Sequence, residues 1–140
     1  MEIIKEPMPG LLVLKPRVFE DKRGMFLETW QKERYKEIGI EDEFVQDNWS
    51  RSTKDVLRGL HFQKRRPQGK LVSVRTGTVF DVAVDIRKDS PTFGQWFGEE
   101  ISDENHLQMY VPPGFAHGFC VLSKRADFVY KCTNYFLPQD

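Results

Sequence analysis

Cysteine is scarce in this sequence, with two among 140 residues, Cys120 and Cys132. Each lies in an apolar, strand-like run, and the pair lacks metal-ligand spacing. Both read as buried free thiols of a reducing compartment, with a disulfide as the lesser reading. Net charge is lacking too: Lys and Arg total 21, and Asp and Glu total 21. No basic excess exists to neutralise phosphates, which argues against nucleic-acid binding through bulk charge and leaves room for a local basic pocket. No apolar run is long enough to span a bilayer. The opening residues, MEIIKEPMPG, are charged and lack the apolar stretch of a secretory leader, so a cytoplasmic protein away from the membrane is expected. Histidine is limited to His61, His106 and His117.

Hydrophobic residues make up 39% and charged residues 30% of the chain, the balance of an ordinary globular protein. No internal repeat, low-complexity tract or linker interrupts it, so residues 1–140 are expected to form a single domain. Aromatics reach 13%, with Phe alone supplying 11 residues. These side chains favour strands and also line pockets.

Strand-like segments dominate. They run from Leu11 to Leu14, on to Phe19, and from Met25 to Trp30. Further segments are Phe44 to Ser50, Val56 to Gln63, Lys70 to Arg75 and Val79 to Ile86. Trp96 to Ile101, Gln108 to Val111, Phe115 to Leu122 and Phe128 to Phe136 complete the set. Asp21-Lys22-Arg23-Gly24 and Thr76-Gly77 read as turns. Gln31 to Ile38 is the one helical stretch, with Gly39 as its stop. Many short strands joined by polar turns predict an all-β antiparallel sandwich or barrel, and their number suggests a jelly roll. By alternation, Phe80, Val82, Val84 and Ile86 share one strand face and Asp81 and Asp85 the other. Phe128, Tyr130, Cys132, Asn134 and Phe136 are expected to share a face, either a pocket wall or a partly polar core face.

Two segments carry chemistry. Val56 to Gln63, followed by Gln68-Gly69-Lys70, sets Arg58, His61 and Lys70 around one apolar strand. A lone His on such a strand is commonly structural, but three cationic or titratable groups together can hold an anion and still leave a base of suitable pKa. The second is Pro112-Pro113-Gly114-Phe115-Ala116-His117. Pro-x-Gly-x-x-His matches the second half-motif of the cupin jelly roll, although a plain turn capped by His117 fits the same residues. Metal cupins need further His and carboxylate ligands, yet the position two residues after His61 is Gln63. The ligand set is incomplete, and a cupin shell without metal is expected.

At these residues the chain resembles the dTDP-4-dehydrorhamnose 3,5-epimerase family. The likeness runs through Pro16 to Phe19, Asp21 to Gly24, Phe44 to Asn48, Val56 to Gln63 and Gln68 to Lys70. It continues through Val79 to Arg87, Ser90 to Gly94, Gly114 to Phe119 and Tyr130 to Tyr135. It implies a cupin-type jelly-roll barrel with one short helix, a homodimer, a nucleotide-sugar substrate and no metal or organic cofactor. In the roles it implies, His61 is the base, Tyr130 the acid on the opposite face and Lys70 the enolate stabiliser. Arg23 and Arg58 would hold the diphosphate or sugar. Glu28, Gln46, Asn48 and His117 would complete the contacts. Phe136 would stack on the thymine ring, ahead of its neighbour Tyr135.

Members of the family run on past the point where Asp140 ends this chain, and that tail supplies an Asp paired with the catalytic His. A short form or a fragment is therefore expected, with Asp81 or Asp85 standing in for the missing carboxylate. A one-carbon epimerase and a non-catalytic nucleotide-sugar binding protein are the alternatives. A metal-dependent cupin is opposed by the ligand set. The strand Glu2 to Lys5 is a candidate for exchange onto a partner sheet.

Overall fold

The computed structural model describes residues 1–137. Within these residues, twelve strands and one helix follow one another. They are β1 (Glu2–Met8), β2 (Leu11–Lys15), β3 (Val18–Asp21), β4 (Gly24–Leu27), α1 (Lys32–Glu37), β5 (Gln46–Thr53), β6 (Leu57–His61), β7 (Lys70–Thr76), β8 (Thr78–Asp85), β9 (Trp96–Ser102), β10 (Gln108–Val111), β11 (Phe115–Val121) and β12 (Arg125–Cys132). One sheet has the order β1-β2-β10-β7-β12-β5, and a second the order β6-β11-β8-β9. A separate hairpin, β3-β4, stands beside them. The architecture is the expected all-β jelly-roll barrel of cupin type with one short helix.

Alternation decides what enters the barrel. Val72, Val74, Met109, Val111 and Phe128 from the six-stranded sheet meet Val79, Ala83, Ile101, Phe115, Phe119 and Val121 from the four-stranded sheet in one buried cluster. Phe119 and Phe128 stack across the gap with centroids 4.0 Å apart. A smaller cluster lies behind the six-stranded sheet, where Tyr35 and Ile40 cover Leu12, Leu14, Leu71 and Tyr110. The helix starts where the Gln31 side chain accepts from the Arg34 N–H at 2.7 Å. It stops before Gly39, whose φ of +102° suits glycine.

Three segments bear on the sequence reading, and β12 departs from it. β8 turns its apolar row, Phe80, Val82 and Val84, outward, and sends Val79, Asp81, Ala83 and Asp85 inward. β12 ends at Cys132 rather than reaching Phe136. There the Thr133 hydroxyl accepts from the Gly69 N–H and the Asn134 side chain donates to the Pro67 carbonyl, so the chain turns away. β1 pairs with β2 of its own chain.

Candidate active site

Inside the barrel, beside the apolar cluster, lies a cavity of about 280 Å³. Asn48, Arg58, His61, Lys70, His117 and Tyr130 all line it. The two sheets contribute opposite walls, which gives the cavity two chemically different sides.

One wall is β6 against β11. Gly59, at φ +108°, makes their close approach possible: a Cβ there would lie 2.7 Å from both Gly118 Cα and the His117 carbonyl oxygen. Across this contact His61 pairs with His117. Partial burial holds the His61 imidazole below its ordinary pKa, and the Lys70, His117 and Arg58 charges push the same way. These influences favour the neutral form of His61. Arg58, next to Gly59 in the chain, donates from Nε to Ser52 Oγ at 2.9 Å.

The other wall is the six-stranded sheet. Tyr130 on β12 lies between Asn48 of β5 and Val72 of β7. Lys70 opens β7 opposite Cys132 and is 9% exposed. Its Nζ stands 5.6 Å from the centroid of the Tyr130 ring. No carboxylate among the described residues lies within ion-pair distance of this ammonium group. Burial lowers the Lys70 pKa, with Cys132 and Asp81 acting the other way. Burial raises that of Tyr130, opposed by its neighbour Asn48 and the Arg58 charge. The Cys132 thiol is pushed up to about 11 by burial, so it is a neutral neighbour. Cys120 and Cys132 are both free thiols.

Neither internal carboxylate serves His61. Asp81 Oδ1 lies 2.7 Å from His117 Nε2, with both groups buried. Asp81 Oδ2 is buried without a partner. Burial pushes this carboxyl up and the His117 charge and hydrogen bond pull it back. Asp85 binds Arg87 at 3.0 Å and the hydroxyls of Ser90 and Thr92 at 2.5 Å each. Burial raises its pKa, but these bonds outweigh that and hold it far below the usual range. The expected substitution for a tail carboxylate is thus corrected, because both groups are already engaged elsewhere.

The remaining sequence-derived residues divide. Gln46 lies behind Asn48 and donates to its Oδ1 at 2.8 Å. Arg23 and Glu28 do not line the cleft. Arg23 is in the β3-β4 turn, paired with Asp21 at 2.6 Å, and Glu28 pairs with Arg34 at 2.5 Å. Phe136 is 59% exposed and also outside the cleft lining. Sequence reasoning missed Ser52 as the anchor of Arg58 and Asp81 as the partner of His117. The alternation of Asp81 with an apolar face was the one available signal for the second. Among the described residues no group of three or more His, Cys, Asp or Glu side chains converges as a metal site would, and no helix is long and apolar enough to cross a membrane.

A base on one wall, a phenol on the other and a desolvated ammonium group beside it can move a proton off carbon, stabilise the resulting oxyanion and return a proton to the opposite face. Comparison with known proteins points to one family. Residues 5–140 match the family described as dTDP-4-dehydrorhamnose 3,5-epimerase. The enzyme of that name from Salmonella typhimurium is 56% identical over 140 residues, covering 99% of this chain and 76% of that protein. A crystal structure of the dTDP-6-deoxy-D-glucose-3,5-epimerase from Legionella pneumophila, in complex with dTDP-4-keto-L-rhamnose, superposes with a TM-score of 0.96 at 57% identity. The match covers 99% of this chain and 74% of that one. A dTDP-4-dehydrorhamnose 3,5-epimerase from Bacillus anthracis, with TDP and PPi bound, gives a TM-score of 0.96 at 44% identity, covering 99% and 80%.

Proposed function

The chain belongs to the dTDP-4-dehydrorhamnose 3,5-epimerase family, and from that premise we propose that it inverts dTDP-4-keto-6-deoxyglucose at the two carbons flanking the ketone. One observation carries the reading: His61 and Tyr130 line a single cavity from opposite sheets, with Lys70 beside them.

The steps follow from those positions. His61 removes the proton next to the ketone, and the C–H electron pair moves into an enolate. Lys70 meets the negative oxygen with its N–H groups, in a setting where burial makes that contact strong. Tyr130 then gives its proton to the carbon from the other side, and configuration inverts. His61 then releases its proton to solvent and Tyr130 takes one back, and the same sequence at the second carbon completes the reaction with no net change in protons or electrons. Arg58, Asn48 and His117 supply the polar contacts to the nucleotide sugar.

Arg23, Glu28 and Phe136 act outside this cleft. The β3-β4 hairpin exposes Phe19, Met25 and Phe26 around Arg23. An exposed apolar hairpin beside a cation suits a second copy of the chain. In a cytoplasmic homodimer it would carry Arg23 and Glu28 toward the partner's cleft, with Phe136 stacking on the base. Phe26→Asp should turn a dimer into a monomer by light scattering. A wild-type monomer at micromolar concentration would refute the dimer.

The function itself is tested by incubating the protein with dTDP-4-keto-6-deoxyglucose in deuterated water and following the sugar by NMR, with His61→Ala as control. Label entering both carbons beside the ketone, and lost in the control, is the expected result. Ligand binding without any label entering would reduce the protein to a binding module.

A further inference from the structure

The chain crosses from the six-stranded to the four-stranded sheet between Thr53, where β5 ends, and Leu57, where β6 begins. Main chain holds this corner. The Lys54 and Asp55 N–H groups donate to the Lys124 and Val121 carbonyls at 3.0 Å each, and the Val121 N–H donates back to the Val56 carbonyl at 3.0 Å. Ser52 stands just before the corner, 6% exposed and opposite Ala126 on β12. Arg58 stands just after it and lines the cleft. The 2.9 Å bond from Arg58 Nε to Ser52 Oγ spans the corner and ties together the edge strands of the two sheets. Arg58 makes no ion pair among the described residues. A guanidinium held by Nε keeps Nη1 and Nη2 as a planar fork of donors, the shape that phosphate oxygens accept.

We propose that Ser52 is a positioning residue for Arg58: by accepting from Nε it fixes the guanidinium before substrate arrives and leaves Nη1 and Nη2 to meet the diphosphate of the nucleotide sugar. A long, flexible side chain gives up rotamer freedom when it grips an anion, and a partner that has already fixed it removes that cost from binding. The corner itself is held by backbone, so loss of the hydroxyl frees the guanidinium without moving the strands. This role deepens the epimerase reading. It rests on that reading for the identity of the ligand only, because the hydrogen bond exists without substrate.

The test begins without substrate. The Arg58 Nε–H signal in proton–nitrogen NMR is assigned by its loss in Arg58→Lys. It should exchange faster with water in Ser52→Ala than in the wild type. Ser52→Cys fills nearly the same space with a weak acceptor, so it should behave like Ser52→Ala and serves if that variant does not fold. Ser52→Thr keeps the acceptor and should behave like the wild type. TDP, titrated by calorimetry, should bind the Ala and Cys variants about tenfold more weakly. With dTDP-4-keto-6-deoxyglucose, KM should rise by a similar factor while kcat stays within about twofold, the pattern of a contact made equally before and during reaction. In an Arg58→Lys background Ser52→Ala should cost no further TDP affinity. Nε–H exchange unchanged in a folded Ala or Cys variant overturns the proposal, and so does faster exchange with TDP affinity unchanged. If exchange and TDP affinity change as expected but no label enters the sugar, the epimerase reading fails and the positioning role stands.

Discussion

Asp81 and His117 form a closed pair inside the barrel, with Oδ1 and Nε2 2.7 Å apart and side chains 0% and 6% exposed. The carboxylate fixes the ring by its Nε2 and leaves the rest of the imidazole to face the cleft. His61, the neighbouring histidine across the ladder, shares none of this support. Asp81→Asn should therefore leave the His61 titration in place and move the signals of His117, as read by nitrogen-15 NMR of the imidazoles. A shift in His61 of the same size as in His117 would mean that Asp81 acts on both.

With His61 as the proposed base, the acid side of the pH profile should follow its titration. Partial burial comes first among the causes that hold its pKa below 6.5, followed by the charges of Lys70, His117 and Arg58. A base works in its neutral form, so kcat/KM should rise with pH through a value below that of an ordinary histidine and be level by neutral pH. Lys70→Met removes one repelling charge and should raise the His61 pKa in an NMR titration. The same depression affects folding. The unfolded chain binds this proton more readily, so stability is present above the unfolded value and is lost as pH falls toward the folded one.

On the alkaline side two groups must stay protonated. Burial lowers Lys70 and raises Tyr130, so the alkaline limb is expected to follow Lys70. The alkaline limb should move up in Lys70→Arg, since guanidinium does not deprotonate in this range, even as kcat falls from the altered geometry. A limb that stays where it was in this variant would assign it to Tyr130 instead.

The stacked Phe119–Phe128 pair joins the sheets beneath the cleft, and Phe128 is 1% exposed. Phe128→Ala should cost about 3–5 kcal/mol, the usual penalty for a large aromatic removed from a closed core. Denaturant melts should register the loss, and Phe128→Leu should recover much of it. A loss below about 1 kcal/mol, near the level of a surface change, would mean that the sheets close over the gap.

Much of the architecture was legible in local pattern. Strand alternation grouped Phe128, Tyr130 and Cys132 correctly, because period-two geometry holds wherever a ladder is regular. It failed at Asn134 and Phe136, where bonds from Thr133 and Asn134 to the Gly69–Pro67 loop end the strand. Hydrophobicity was a poor guide to β8. The aspartate face goes inside because His117 engages one oxygen of Asp81 and Arg87, Ser90 and Thr92 engage Asp85, and partners brought together by folding are invisible to a local reading. The cleft was half legible: Arg58, His61 and Lys70 are close in sequence, whereas Asn48 and Tyr130 meet only through the register of β5 and β12.

The contact between Gly59 and Gly118 has a bearing on how this cleft can change. Backbone meets backbone there, and a Cβ at Gly118 would come within 2.6 Å of the Arg58 carbonyl oxygen. The spacing of His61 and His117 is thus fixed by main chain, with no side chain left to trim or enlarge. Altered substrate scope, whether by drift or by engineering, has its room on the facing wall. There Asn48, Trp49 and Ser50 lie along an edge strand that pairs on one side only.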